Sequence, residues 1–386
     1  MSKHDFTKEE FADRLSRTRA AIAAAGLDWL LVIHPVSMRW LIGQDNKSFT
    51  AFQCLPVSAK PGKLVVFTRE MERNEFELDT MVDEVRGYNG AEPEDPMEAF
   101  ASFAKDLGLA NARVGIEVPS WYLNAHHYVK LKDILGKALI CEASGLVQGL
   151  KVVKSPAEIG YHRKSAAIAA DAWVALTSRV AEGRTELELA GAAYNALLQG
   201  GSMIPASTMN LMTGERSCFV LGAPTERRLE RGDTGLVELG GAYRRYTSTL
   251  GRQFILGKPT QRLEGLHKLV VEASDACMAK MRDGAAAIDA HEALKAVFVK
   301  AGLDQYRQHT SGYGMAPGFP PSWGEPTNLF GGSKDVLKAG MVISVEPALF
   351  IKAERLGVRL IDNCLITKTG IELLSSRTPR ELAVIA

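Results

Sequence analysis

The chain has 386 residues, 46% hydrophobic and 24% charged, an ordinary globular composition with room for two domains. Lys plus Arg (46) balances Asp plus Glu (45), leaving a formal net charge of +1 and no footing for nucleic-acid or membrane-surface binding. No apolar run reaches the roughly 18 residues that span a bilayer. The opening MSKHDFTKEEFADR lacks the apolar core of a signal peptide, and the five cysteines (Cys54, Cys141, Cys218, Cys277, Cys364) are scattered with no CxxC pair. The expectation is a cytoplasmic protein with reduced thiols.

In chain order, Thr7 and Glu10 have capping-box spacing, and Phe11, Leu15 and Ile22 share the face of the helix that follows, with Gly26 as its stop. The run LDWLLVIHP reads as a buried strand ended by Pro35, and residues 62–69 and 113–118 read as two more strands. Helical patterns at 97–107 and 122–135 lie between strands, so residues 1–150 read as an α/β domain. Ser155, Pro156 and Glu158 then mark a helix start at the head of a second domain, 151–386. Helices are expected from 155 to about 181, from 186 to about 198, over 263–281 and over 287–301. Residues 207–216 read as a polar loop, and the stretch HTSGYGMAPGFPPSWGEP is rich in Gly and Pro; its Gly312-x-Gly314 pair follows no convincing strand and is no dinucleotide fingerprint. Strands close the chain at 341–350 and 357–367, and this larger domain reads as α+β.

The most informative stretch is VELGGAYRRYTSTLGR, residues 237–252, which reads as strand, tight turn, strand. It sets Glu238 among apolar neighbours, and a carboxylate there is costly to bury unless paired or at work. Glu346, in MVISVEPALF, poses the same question just before a proline.

Four segments in order resemble the creatinase/aminopeptidase P/methionine aminopeptidase superfamily, the pita-bread fold: VVKSPAEI, VELGGAYRRYTSTLGR, HTSGYGM, and ISVEP with GVRLIDNCLIT. Residues 1–150 resemble the creatinase-type N-terminal domain. The resemblance implies an α+β pita-bread catalytic domain, a homodimer, and phenylalanines (Phe49, Phe52) that reach a partner subunit's site or else simply pack. Peptidases of this superfamily hold two divalent metals with two Asp, one His and two Glu. Those positions fall on Glu238, Thr249, Tyr313, Glu346 and Ile361, and a substrate-handling histidine falls on Leu221. Thr, Tyr and Ile cannot replace hard anionic ligands, so no metal and no cofactor is expected. The pattern of loss, with GYGMAPGFPPSWGEP and RRYTSTLGR, resembles the metal-free creatinase and ectoine-hydrolase-like branch.

On that footing Glu238 is a nucleophile or general base, or alternatively an ion-pair partner of Arg252 or Arg359. Glu346 binds or protonates a substrate nitrogen, or caps a strand end. Tyr313, between Gly312 and Gly314, donates to a developing oxyanion or fills the volume of a lost ligand. His309 is an acid/base candidate. Arg252, Arg359, Thr247, Thr249, Phe49, Phe52 and Trp323 are candidate substrate contacts. The expected activity is metal-independent hydrolysis of a C–N bond in a small nitrogenous compound of the creatine or ectoine type. The alternatives are an Xaa-Pro peptidase-like metallohydrolase and a non-catalytic binding module.

Overall fold

The computed structural model describes residues 2–386. The chain forms two compact units, one up to Lys151 and the other from Val152 onward.

The first unit is built on a four-stranded sheet in the order Leu55–Ser58, Trp29–Val32, Val114–Ile116, Leu139–Glu142, and a separate parallel pair, Val65–Arg69 with Glu84–Tyr88. Its opening helix, Lys8–Ala24, is capped by Thr7, which accepts from the Glu10 amide. The Glu10 carboxylate meets Arg14 at 2.6 Å, so it serves a side chain one turn on. Pro35 does end the first strand, but it also opens a helix, Pro35–Ile42, at the position where a missing N–H costs nothing. The strands at 55–58 and 84–88 carry no alternation strong enough to read from sequence.

The second unit has a nine-stranded sheet. Seven strands run in the order Ile371–Leu373, Asp362–Ile366, Val342–Val345, Gly312–Phe319, Tyr246–Leu256, Thr234–Tyr243, Asn210–Thr213, and two more lie off this path, Ser322–Leu329 beside Gly312–Phe319 and Ala383–Ile385 beside Tyr246–Leu256. Helix Pro156–Thr177 starts on a complete capping box: Ser155 Oγ accepts from the Glu158 amide, and Glu158 accepts from the Ser155 amide at 2.8 Å. The other Glu158 oxygen takes the Tyr246 hydroxyl at 2.7 Å, tying this helix to the central hairpin. Ile168 and Trp173 pack there against Leu239 and Leu250. Helices Gln261–Met278 and Ala287–Lys300 bury Val270 and Leu294 with Ile343 and Leu349. Mixed helix and strand of this kind is α+β.

Two features differ from the sequence reading, and one more concerns a stretch that the sequence reading leaves unassigned. The Gly- and Pro-rich stretch is a hairpin, Gly312–Phe319 with Ser322–Leu329, turning at a cis Pro320–Pro321 bond. Its glycines answer to neighbouring backbone rather than to a side-chain period: a Cβ at Gly312 would overlap the Ser344 carbonyl. Part of the expected 207–216 loop is an edge strand, Asn210–Thr213. Finally, each closing strand is broken. Val342–Val345 pairs with Asp362–Ile366, and Ala348–Ile351 pairs with Leu356–Arg359 in a different sheet. The breaks fall at Glu346-Pro347 and Leu360-Ile361, the first at a residue that cannot donate to a ladder.

His162, on the first helix of this unit, is fully buried; its Nδ1 lies 2.9 Å from the Thr247 carbonyl and Nε2 has no hydrogen bond. Burial first, and then the charge of Lys154, depress its pKa from 6.5 to about 3. Between those values the unfolded chain binds a proton that the folded one refuses. Stability is therefore complete above 6.5 and drains as pH falls toward about 3. The cost across the window is roughly 3–5 kcal/mol at most. His162→Asn, which keeps a donor for Thr247, is expected to lower stability at neutral pH but to flatten its acid dependence. Urea midpoints measured above and below the window check this, and an unchanged acid slope refutes it.

Candidate active site

The strand breaks and the central hairpin converge on one polar cavity of about 170 Å³, lined by Glu238, Glu346, His309, Tyr313, Trp323 and Arg359, with Ser207, Asn210 and Leu221 at its edge. Glu238 sits mid-strand, opposite Asn210 on one side and Gly251 on the other. Its Oε2 accepts from Arg359 Nη1 at 2.6 Å and from Asn210 Nδ2 at 3.0 Å, so Oε1 takes no hydrogen bond from a described residue. A buried carboxylate is tolerable here because a guanidinium neutralises it. The same two partners reach further. Arg359 Nη2 donates to the Val220 carbonyl at 2.6 Å, and Asn210 Oδ1 accepts from the Gly222 amide at 3.0 Å. Leu221 is thereby held at the cavity by the residues that hold Glu238.

Glu346 occupies the break before Pro347. Its amide donates to the Ser311 carbonyl, its Oε1 accepts from Ser344 Oγ at 2.6 Å, and its Oε2 lies 3.5 Å from His309 Nδ1. Burial raises its pKa, and the charge of Glu238 raises it further; His309, Ser344 and Arg359 oppose the shift. The Tyr313 hydroxyl accepts from Trp323 Nε1 at 3.0 Å. Burial, then the carboxylates of Glu346 and Glu238, push the phenol well above its usual range, which keeps it a proton donor. The Trp323 ring lies so close to Gly240 that a Cβ there would come within 3.0 Å of it. The site thus holds an ion-paired carboxylate, a carboxyl biased toward its protonated form, and a phenol facing both.

The structure uses other candidates differently. Arg252 is buried and committed to the fold: it meets Asp362 at 2.7 Å and four backbone carbonyls, those of Gly251, Ile361, Thr378 and Pro379. It does not line the cavity. Thr247 and Thr249 are also fully buried off the cavity; Thr247 bonds the Arg245 carbonyl and Thr249 bonds Asn363. Phe52 is a core residue of the first unit, edge-on to Phe67, Phe100 and His127, and is 2% exposed, which removes it as a substrate contact in this conformation. Phe49 is half-buried beside Tyr122. Sequence reasoning missed Asn210 and Ser207 because nothing in a polar loop says which member turns inward.

The metal-ligand positions can be tested against the side chains that occupy them. Thr249 Oγ1 accepts from Asn363 Nδ2 at 2.9 Å, and Asn363 Oδ1 accepts from Ser248 Oγ and the Thr249 amide at 2.7 Å each. Ile361 is fully buried and has no donor atom to offer. One oxygen of Glu238 is held by Arg359 and Asn210, and one oxygen of Glu346 by Ser344. Among the described residues no three His, Cys, Asp or Glu are grouped to hold a metal ion. This donor set does not fit a pair of divalent cations.

Residues 160–368 match the model of metallopeptidase family M24, and residues 14–153 match the creatinase/prolidase N-terminal domain. The chain belongs to family M24, with the pita-bread fold and a creatinase-type N-terminal domain. Among individual relatives, it is 28% identical to the ectoine hydrolase of Halomonas elongata, with 98% of each chain covered. It is also 28% identical to the Xaa-Pro dipeptidase of Pyrococcus horikoshii, over 66% of this chain and 72% of that one. Among solved structures it is similar to dipeptidase PepE from Mycobacterium ulcerans (TM-score 0.85, 26% identity, 98% and 99% covered). The chain thus belongs to a family of hydrolases. No helix among the described residues is long and apolar enough to cross a membrane.

Proposed function

We propose that this protein hydrolyses a C–N bond in a small nitrogenous compound, of the amidine or amide type found in creatine- or ectoine-like solutes, without a catalytic metal. The observation that carries the reading is the division of labour between two carboxyls in one cavity. Glu238 is clamped through Oε2 by Arg359 and Asn210, and Glu346 is held toward its protonated form by burial and by Glu238. The near-full-length likeness to an ectoine hydrolase supports it.

In this reading a water oxygen adds to the sp2 carbon while its proton passes to Glu238 Oε1. The C–N bond then breaks, the nitrogen keeping the electron pair and taking the Glu346 proton. One water is consumed, and exchange with solvent returns both carboxyls to their starting states. Tyr313 donates to the charge that grows on the adduct, and Trp323 orients the phenol. The reading includes a cytoplasmic homodimer; a monomer in equilibrium sedimentation at working concentration removes that part.

A mass-spectrometric screen of ectoine, creatine and related amidines and amides tests the activity, run with chelator and with added manganese or zinc. Turnover that survives chelation is expected. Cleavage of Xaa-Pro dipeptides only with metal present establishes the peptidase alternative, and no turnover of any substrate leaves a binding module. The acid role of Glu346 makes a further prediction. Because its pKa is raised, the Glu346 contribution to kcat is expected to fall as pH rises through that value and the proton is lost. Glu346→Gln should remove this limb along with most of the activity; an unchanged profile assigns the proton to another group.

A further inference from the structure

The turn of the central hairpin breaks a local backbone rule twice. Tyr243 pairs with Tyr246, so Arg244 and Arg245 are its two central residues, and both have left-handed backbone, with φ of 53° and 72°. Glycine or asparagine is usual in such a turn, because a Cβ is crowded at positive φ. Strain of this kind persists only where the surroundings hold it, and it marks a position to be examined for function. The two side chains part company. Arg244 is half-buried, 5.3 Å from the Tyr161 ring centroid and 5.5 Å from that of Tyr243. Arg245 is buried, and its guanidinium lies 4.2 Å from the ring centroid of Phe319.

That contact falls at a corner between two hairpins. The ladder joining Tyr246–Leu256 to Gly312–Phe319 is a single pairing, Tyr246 with Pro317. Pro317 has no N–H to give, and the next amide, that of Gly318, donates to the Arg245 carbonyl at 2.7 Å. Gly318 is packed too closely for a side chain, since a Cβ there would come within 2.8 Å of Ala206 and 3.3 Å of Trp323. Arg245 thus grips this corner twice, by its carbonyl at Gly318 and by its guanidinium on Phe319. Phe319 pairs with Ser322 across the turn that follows, and Pro321, Ser322 and Trp323 line the catalytic cavity. Trp323 in turn donates to the Tyr313 hydroxyl at 3.0 Å.

Resting on the hydrolase reading above, we infer that Arg245 is a positioning residue: the strained turn lays its guanidinium on Phe319, and this stack fixes the 319–323 rim that sets Trp323 against Tyr313. A cation over an aromatic face gains most when both are withdrawn from water, as they are here. Arg244 carries the same backbone strain without touching the rim, which makes it the internal control.

Two readouts on the full-length protein test this. The first needs no substrate: acrylamide quenching of Trp323 fluorescence, taken as the difference from the same protein carrying Trp323→Phe. Trp323 is only 4% exposed, so a loosened rim shows as a gain in quenching. The second is turnover of whichever C–N substrate the unaltered protein cleaves. Arg245→Gly relieves the backbone and removes the stack; it is expected to raise Trp323 quenching and to lower kcat by roughly tenfold or more, with KM little changed. Phe319→Leu, which keeps most of the volume but not the ring, should do the same, and the double variant should lose no more than either single, because both cut one contact. Arg245→Lys, which keeps a cation but not the flat stack, should fall between. Arg244→Gly should move neither readout. Trp323 as well shielded in Arg245→Gly as in the parent, equal effects from Arg244→Gly, or additive losses in the double variant overturn the inference and leave the hydrolase reading standing. Greater quenching with unchanged kcat also refutes it alone, since the rim then has no part in the reaction. Failure of the unaltered protein on every C–N substrate tried removes both.

Discussion

Replacing Glu238 with glutamine is expected to lower kcat by roughly three orders of magnitude while the protein remains folded. Glutamine has nearly the same shape, and its oxygen can still accept from Arg359 Nη1 and Asn210 Nδ2, so the 220–222 segment stays in place. What disappears is the negative charge and the second basic oxygen, the one that Arg359 and Asn210 leave unused. Some stability goes with it, because Arg359 loses its counter-ion while only 4% exposed; removing one member of a buried pair can cost about 3–5 kcal/mol. Substrate binding, measured calorimetrically beside turnover, separates the two effects: affinity should change far less than kcat. Unchanged turnover would remove Glu238 from the centre of the mechanism. A single turnover in heavy-oxygen water then bears on the route, since label in the Glu238 carboxyl requires direct attack, whereas water activation puts it in the product alone.

The second large effect is expected at Asp362, on the structural side of the molecule. Its carboxylate is fully buried and accepts from Arg252 Nη2 at 2.7 Å, Ser375 Oγ at 2.6 Å and Arg380 Nε at 2.9 Å. Those contacts tie the central hairpin to the C-terminal strands. Asp362→Ala leaves Arg252 as a buried cation with only carbonyl dipoles for company, and a loss of about 3–5 kcal/mol is expected in urea unfolding. Activity per folded molecule should be retained, because neither Asp362 nor Arg252 lines the cavity. A change under about 0.5 kcal/mol would place this cluster among ordinary surface substitutions and refute its structural role. Loss of substrate affinity without loss of stability would restore Arg252 to substrate binding.

Arg252 shows where reading from sequence stopped. Two arginines, Arg252 and Arg359, stood beside candidate acids in equivalent-looking strands, and either could pair with Glu238. Strand register decides between them. Arg252 is one place along in the ladder from Gly251, the residue opposite Glu238, so its side chain leaves on the other face and turns to Asp362; Arg359 ends its strand where it can reach Glu238. The threonines failed for a related reason. Thr247 and Thr249 share a strand face, as their spacing requires, but that face is covered and their hydroxyls are spent on backbone and on Asn363. Phe52 belonged to an aromatic cluster whose other members lie far along the chain. Glu238 and Glu346 were legible as carboxylates in apolar runs and Tyr313 as a residue between paired glycines, whereas His309 was legible only through the family resemblance of its segment.

What the amino-acid order determines by itself is local. The cap at Ser155, the helix periods and the turn between two strands all depend on residues within a few positions. Tertiary structure alone decided which arginine neutralises Glu238, that Ser207 and Asn210 belong to the site, and that the closing strands break to present Glu346. Those choices come from register and from the pairing of buried charges across more than a hundred residues. Each is set by the lowest-cost way to satisfy every polar group in the interior at once.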